Sequence, residues 1–145
     1  MVFMILAVFF IGVYYVMSNS APNNITVKLV SLRTDVDTYT LSFYAYTTIN
    51  VSYSGRLPCT LSDREVTLYL NGINFGTKGF SESWETFEPG ESQIYTTTFV
   101  LDDPDFSTLY KYNRGRYDVV IKLKARVESG LVNKRFETEY EGIWG

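Results

Sequence analysis

The chain has 145 residues, 46% apolar and 17% aromatic, with a formal charge of −3 from 13 basic and 16 acidic side chains. It contains no histidine and a single cysteine, Cys59. This removes the commonest general base and metal ligand, any intrachain disulfide and any thiolate zinc cluster, and the acidic balance argues against nucleic acid as a partner.

The stretch from Met1 to Met17 carries no charge and nothing more polar than Gly12, Tyr14 and Tyr15. Roughly 17 residues at 1.5 Å each make about 25 Å of helix, close to the ~30 Å hydrocarbon core of a bilayer. A cleaved secretory signal carries Lys or Arg ahead of its apolar core, whereas the first basic residue here is Lys28. A retained helix over 1–17 is therefore expected, with Phe3, Leu6, Phe9, Phe10, Val13 and Tyr14 forming its membrane or assembly surface. A single bilayer span and a helix packed among its copies in a filament core, as in pilin-like subunits, both require such an all-apolar surface. The paired Tyr14 and Tyr15 suit a membrane interface and point Met17 toward water. Ser18 to Asn24, polar and containing Pro22, reads as a short hinge.

Residues 25–145 read as one β domain. Ile25, Val27 and Leu29 alternate with Thr26 and Lys28 in a first strand ending near Arg33. A second strand is expected over Thr38 to Tyr53, with Tyr39, Leu41, Phe43 and Ala45 on one face and Thr40, Ser42, Tyr44 and Tyr46 on the other. Val66 to Leu70, then Asn71-Gly72, then Ile73 to Gly76 is a hairpin signal, because Asn-Gly supplies both positive φ angles of a type I′ turn. That register sets Leu70 against Ile73, Leu68 against Phe75 and Val66 against Thr77.

Phe80 and Trp84 belong to an extended segment that ends at the Pro89-Gly90 turn, and Ser92 to Leu101 forms another strand. Asp103 followed by Pro104 is the start signal of a short helix ending near Asn113 to Gly115. A final hairpin runs from Tyr117 through Val127, turns at Ser129-Gly130 and returns through Tyr140, pairing Leu123 with Phe136, Lys122 with Glu137 and Lys124 with Arg135. Seven or eight antiparallel strands with one short helix predict an all-β, immunoglobulin- or fibronectin-like sandwich.

The run Val66-Thr67-Leu68-Tyr69-Leu70-Asn71-Gly72, then Gly76, then Pro89-Gly90-Glu91-Ser92, a helix and a long final hairpin resembles the WHy domain (water stress and hypersensitive response) of late-embryogenesis-abundant proteins. The resemblance spans Ile25 to Trp144 and implies a sandwich, membrane anchoring outside the cytosol, roles in protecting proteins or membranes or binding lipid, and no catalytic residues. Family members carry an Asn-Pro-rich break after the second strand, where this chain has Asn50 to Pro58.

The densest carboxylate cluster, Asp102, Asp103 and Asp105, reads as a helix N-terminus rather than a calcium loop or a glycosidase pair. Gly72, Gly76 and Gly79 lack the strand-glycine-helix context of a phosphate cradle, so no cofactor is expected. Cys59 reads as a small buried apolar residue. Tyr44, Tyr46, Tyr69 and Tyr95 are candidate interface residues, and Asn24 and Asn50 head Asn-X-Ser/Thr sequons. Together these features predict a non-enzymatic, membrane-anchored cell-surface subunit. Its sandwich would face outside and contact neighbouring copies, whose helices or the membrane would surround its own. An anchored module for lipid or another hydrophobic ligand, held between the sheets, is the alternative.

Overall fold

Among the described residues, period-two alternation becomes eight antiparallel strands in two sheets. The computed structural model describes residues 2–80, 84–102 and 116–145, without the side chain of Trp84. The short helix expected from Asp103 lies outside the described residues. Helix α1 (Val2–Asn19) leads through a 3₁₀ turn (Ala21–Asn24) into β1 (Ile25–Asp37). Then follow β2 (Ser42–Tyr53), β3 (Cys59–Leu70), β4 (Ile73–Gly79), β5 (Trp84–Phe87), β6 (Ser92–Asp102), β7 (Tyr117–Ser129) and β8 (Val132–Trp144).

One sheet has the order β1-β2-β6 and the other β4-β3-β7-β8, with β5 also paired to β3. Because β7 occupies one side of β3, β5 and β4 follow each other along its other side, β5 against Cys59 to Ser62 and β4 against Glu65 to Leu70. The inward positions of the two sheets meet in one core. Phe43, Ile49 and Phe99 from the first sheet and Leu61, Leu68, Ile121 and Leu123 from the second are each at most 1% exposed. The expected immunoglobulin-like sandwich is the fold.

Four local expectations differ from the structure. The second strand begins at Ser42, not Thr38, because Asp37 Oδ1 accepts the N–H groups of Tyr39 (2.9 Å) and Thr40 (3.3 Å) and closes a turn. Tyr39 is therefore 98% exposed, and Leu41 sits at φ 53 instead of joining Phe43 inside. In the first hairpin Asn71 and Gly72 take φ 50 and 80 and pair Leu70 with Ile73 as expected, yet Val66 opposes Lys78 rather than Thr77. An extra residue at Phe75-Gly76, with Gly76 at φ 101, forms a bulge that leaves Phe75 buried.

The last hairpin turns at Gly130-Leu131, with Ser129 opposite Val132 and Gly130 at φ 56, as a type II′ turn requires at its first central position. The register moves by two residues, so inward faces are kept while partners change. Phe136 pairs with Ala125, Glu137 with Lys124, and Arg135 faces Arg126.

The fourth difference is the segment read as a hinge. Ser18 Oγ donates to the Tyr14 carbonyl (2.8 Å), Ser20 N–H to Val16 (3.1 Å) and Asn23 N–H to Ser20 (3.1 Å). Ser54 N–H reaches the Asn24 carbonyl (3.0 Å), and Ser18 and Ala21 are fully buried. These bonds and the burial of Ser18 and Ala21 tie the segment to the helix end and to the β2–β3 loop, so it is a joint.

Candidate functional site

The surface that stands out first is α1. Phe3, Leu6, Phe9, Phe10, Val13 and Tyr14 are all exposed, and Ser18 is the only buried residue of the helix. By length and composition it is the one helix among the described residues that suits a membrane crossing. Its last turn is seated on the sandwich: Ser18 and Tyr14 lie against Gly130 in the β7–β8 turn, and Lys134 Nζ donates to Asn19 Oδ1 (3.0 Å).

The four candidate tyrosines do not share a surface. Tyr44 and Tyr46 lie on the outer face of the β1-β2-β6 sheet, stacked at 6.3 Å between ring centres, with the Arg33 guanidinium 4.3 Å over Tyr46. Ser and Thr hydroxyls continue that face, bonding across strands at Thr48–Thr96 (3.3 Å) and Ser52–Ser92 (3.0 Å). Tyr69 occupies the outer face of the other sheet, beneath Lys122 Nζ at 5.3 Å. Tyr95 points inward, at the side of the sandwich where β4 and β5 face β6.

There Tyr95 belongs to a cluster that the strand pattern does not single out. Arg64, 4% exposed, donates from Nη1 to Glu85 Oε2 (2.6 Å) and to Tyr95 Oη (2.9 Å), while the Tyr95 hydroxyl donates to the same Glu85 oxygen. Its guanidinium carbon stands 5.3 Å from the ring centres of both Phe80 and Tyr95. The hollow beside them, about 290 Å³, is completed by Gln93 and Thr96. Burial, and then the bond to Glu85, push the Tyr95 phenol above its ordinary pKa of 10.0. The acid, the base and the hydroxyl are thus spent on one another, and the cluster acts as a clasp from β3 and β5 to β6.

A signal for Arg64 exists in the sequence. Cys59 and Leu61 are inward at odd positions, Val66, Leu68 and Leu70 at even ones, so the alternation must slip between them. The slip is a bulge between Ser62 and Glu65, where Asp63 adopts φ 50 and Arg64 takes an inward place.

The remaining candidates fall at separate places. Asn24 spends its Nδ2 on the Ser20 carbonyl (3.0 Å) within the joint, and Asn50 lies in the middle of β2 between Lys28 and Ile94. Of the acidic run, Asp102 accepts from Ser42 Oγ (3.1 Å), and Asp103 and Asp105 lie outside the described residues. Cys59 is buried, which raises its thiol to about 12. The space where a hydrophobic ligand would enter between the sheets is filled by Phe43, Ile49, Leu68, Phe99 and Ile121.

No protein-family model and no curated protein sequence matches the chain. Among solved structures it is similar to the Northeast Structural Genomics Consortium target SoR45, with 14% identity, 85% of this chain and 87% of that chain covered, and a TM-score of 0.56. A Bordetella pertussis protein assigned the name ApaA matches with 13% identity, 83% and 92% coverage, and a TM-score of 0.54. At these identities the likeness establishes the shared β-sandwich fold.

Proposed function

We propose that this protein is a non-enzymatic, membrane-anchored structural subunit whose sandwich stands outside the cytoplasm and contacts neighbouring subunits. The supporting observation is the contrast within α1. Its sides are exposed apolar surface along nearly the whole length, while its final turn packs on Gly130 of the domain and accepts from Lys134 through Asn19. A helix of a soluble core hides at least one face against its own sheet, whereas a bilayer or a bundle of like helices covers all of them. The Tyr44–Tyr46–Arg33 face supplies the neighbour contact, since stacked aromatic rings beside a guanidinium are the side chains that dominate protein interfaces.

The test is membrane fractionation joined to crosslinking. The full chain, expressed in cells with a secretory envelope, should resist alkaline extraction and expose its sandwich to protease added outside. Tyr46→Cys in a Cys59→Ala background should give crosslinked copies in intact membranes, and electron microscopy of surface material would then distinguish filaments from smaller assemblies. Release into the soluble fraction would refute anchoring; a strictly monomeric anchored chain would refute assembly.

A further inference from the structure

Resting on the anchored reading, we propose that the end of the sandwich beside α1 is a lipid-contact surface. In this assignment Arg56 and Lys134 engage anionic headgroup phosphates, and Leu131 enters the interfacial layer. The domain then stands on the bilayer at a fixed angle rather than swinging on a tether.

The geometry begins with the joint, which leaves no free linker between helix and β1. Rotation of the domain would have to break the Asn24–Ser54 bond and lift Tyr14 and Ser18 from Gly130. The loops that flank the helix exit are consequently held at one height relative to α1.

Arg56 is an exposed residue of the β2–β3 loop, and it lines a groove of about 440 Å³ along α1 with Val8, Phe9, Gly12, Val13 and Met17. It has no carboxylate partner among the described residues. A cation on an apolar stem beside the last turns of an apolar helix has the arrangement of a snorkelling side chain at headgroup level. Lys134, bonded to Asn19, places a second cation at the helix end, and Leu131 is 63% exposed at the tip of the adjoining turn.

The acidic residues of this end are Glu88 and Glu91 in the β5–β6 turn and Glu128 at the end of β7, where it accepts from the Asn133 amide (2.9 Å). Glu91 is occupied by the Glu88 N–H (2.8 Å) and the Gln93 amide (2.7 Å). Arg56 and Lys134 are the charged side chains that line the groove along α1 or bond to its last residue. Cations so placed match an anionic surface approached from the helix side.

The experiment uses the full chain in lipid nanodiscs, in a Cys59→Ala background, with a fluorophore on Leu131→Cys, Phe9→Cys or Tyr39→Cys. Nitroxide headgroup lipids and brominated acyl chains report depth. Expected are strong headgroup quenching at position 131, acyl-chain quenching at position 9 and none at position 39. The signal at 131 should fall severalfold in discs of phosphatidylcholine alone, and likewise in phosphatidylglycerol discs on Arg56→Gln with Lys134→Gln. An unquenched probe at 131 beside a quenched probe at 9 would overturn the lipid-contact surface and leave anchoring intact. Equal quenching in neutral and anionic discs would overturn the role of the two cations. Absence of acyl-chain quenching at position 9 would remove the anchored reading itself, and this inference with it.

Discussion

A Cβ on Gly130 would overlap Ser18 Oγ and stand 2.8 Å from the Tyr14 ring. The helix end and the β7–β8 turn are thus fitted to each other through the absence of a side chain. Gly130 also needs φ 56, a left-handed conformation that costs an L-residue roughly 1–2 kcal/mol. Gly72, at φ 80 with nothing within 4 Å of its would-be Cβ, carries the backbone cost alone. Gly130→Ala should destabilise the sandwich by about 1–3 kcal/mol more than Gly72→Ala, the usual penalty of forced overpacking. Denaturant unfolding of both variants in detergent, followed by tryptophan fluorescence, measures the difference; equal losses would mean that the joint yields freely.

Arg64 and Glu85 make the most protected ion pair of the described residues, with side chains 2% and 22% exposed. Replacing one member of a buried pair leaves the other charge uncompensated, at about 3–5 kcal/mol. Arg64→Met should fall in this range, because Glu85 and the Tyr95 hydroxyl lose their shared donor. Glu85→Gln should cost less, since the amide oxygen still accepts from both partners. A double-mutant cycle between the two positions should show coupling above about 1 kcal/mol, well beyond the usual exposed pair such as Lys124–Glu137 at 3.7 Å.

Alkaline pH should act on the same clasp. Burial, followed by the hydrogen bond to Glu85, raises the Tyr95 phenol above 10.0, and burial raises Cys59 from 9.0 to about 12. For both groups the fold favours the protonated form. Their contribution to stability is complete below the unfolded pKa and is lost as pH climbs from that value through the folded one. The unfolding midpoint should begin to fall above pH 9 through Cys59 and more steeply above pH 10 through Tyr95. Tyr95→Phe should flatten the second part of the curve and Cys59→Ala the first. Below pH 9 neither variant should change the slope.

The strands and their inward faces were legible because alternation is a local property, visible wherever one side of a strand is buried. Ile25 and Val27, Phe43 and Ala45, and Leu68 and Leu70 announce themselves in this way. What escaped depends on contacts between distant residues. The joint looks like a polar linker until Ser54 and Gly130 are brought to it, and Tyr95 reads as a surface ring until Arg64 reaches across from β3. The last hairpin fails for a different reason. Ser129-Gly130 and Gly130-Leu131 both offer a glycine to a two-residue turn, and a shift of two residues keeps each side chain on its face, so neither hydrophobicity nor turn chemistry separates them.

Charge pairing does separate them, and it can be measured. In the observed register Arg135 stands opposite Arg126, whose guanidinium also meets Asn133 (3.2 Å) and Asp63 (3.9 Å). Lys124 instead faces Glu137. Like charges directly opposite on neighbouring strands destabilise a sheet, and opposite ones stabilise it by about 0.2–1 kcal/mol. Arg135→Glu should therefore raise stability by roughly half a kcal/mol. That gain should vanish when Arg126→Ala is added and survive Lys124→Ala, because only the first removes the residue across the strand. The reverse outcome, with the gain tied to Lys124, would place the turn at Ser129-Gly130. High salt should shrink the Arg135→Glu gain, since both side chains are on the solvent face of β7 and β8.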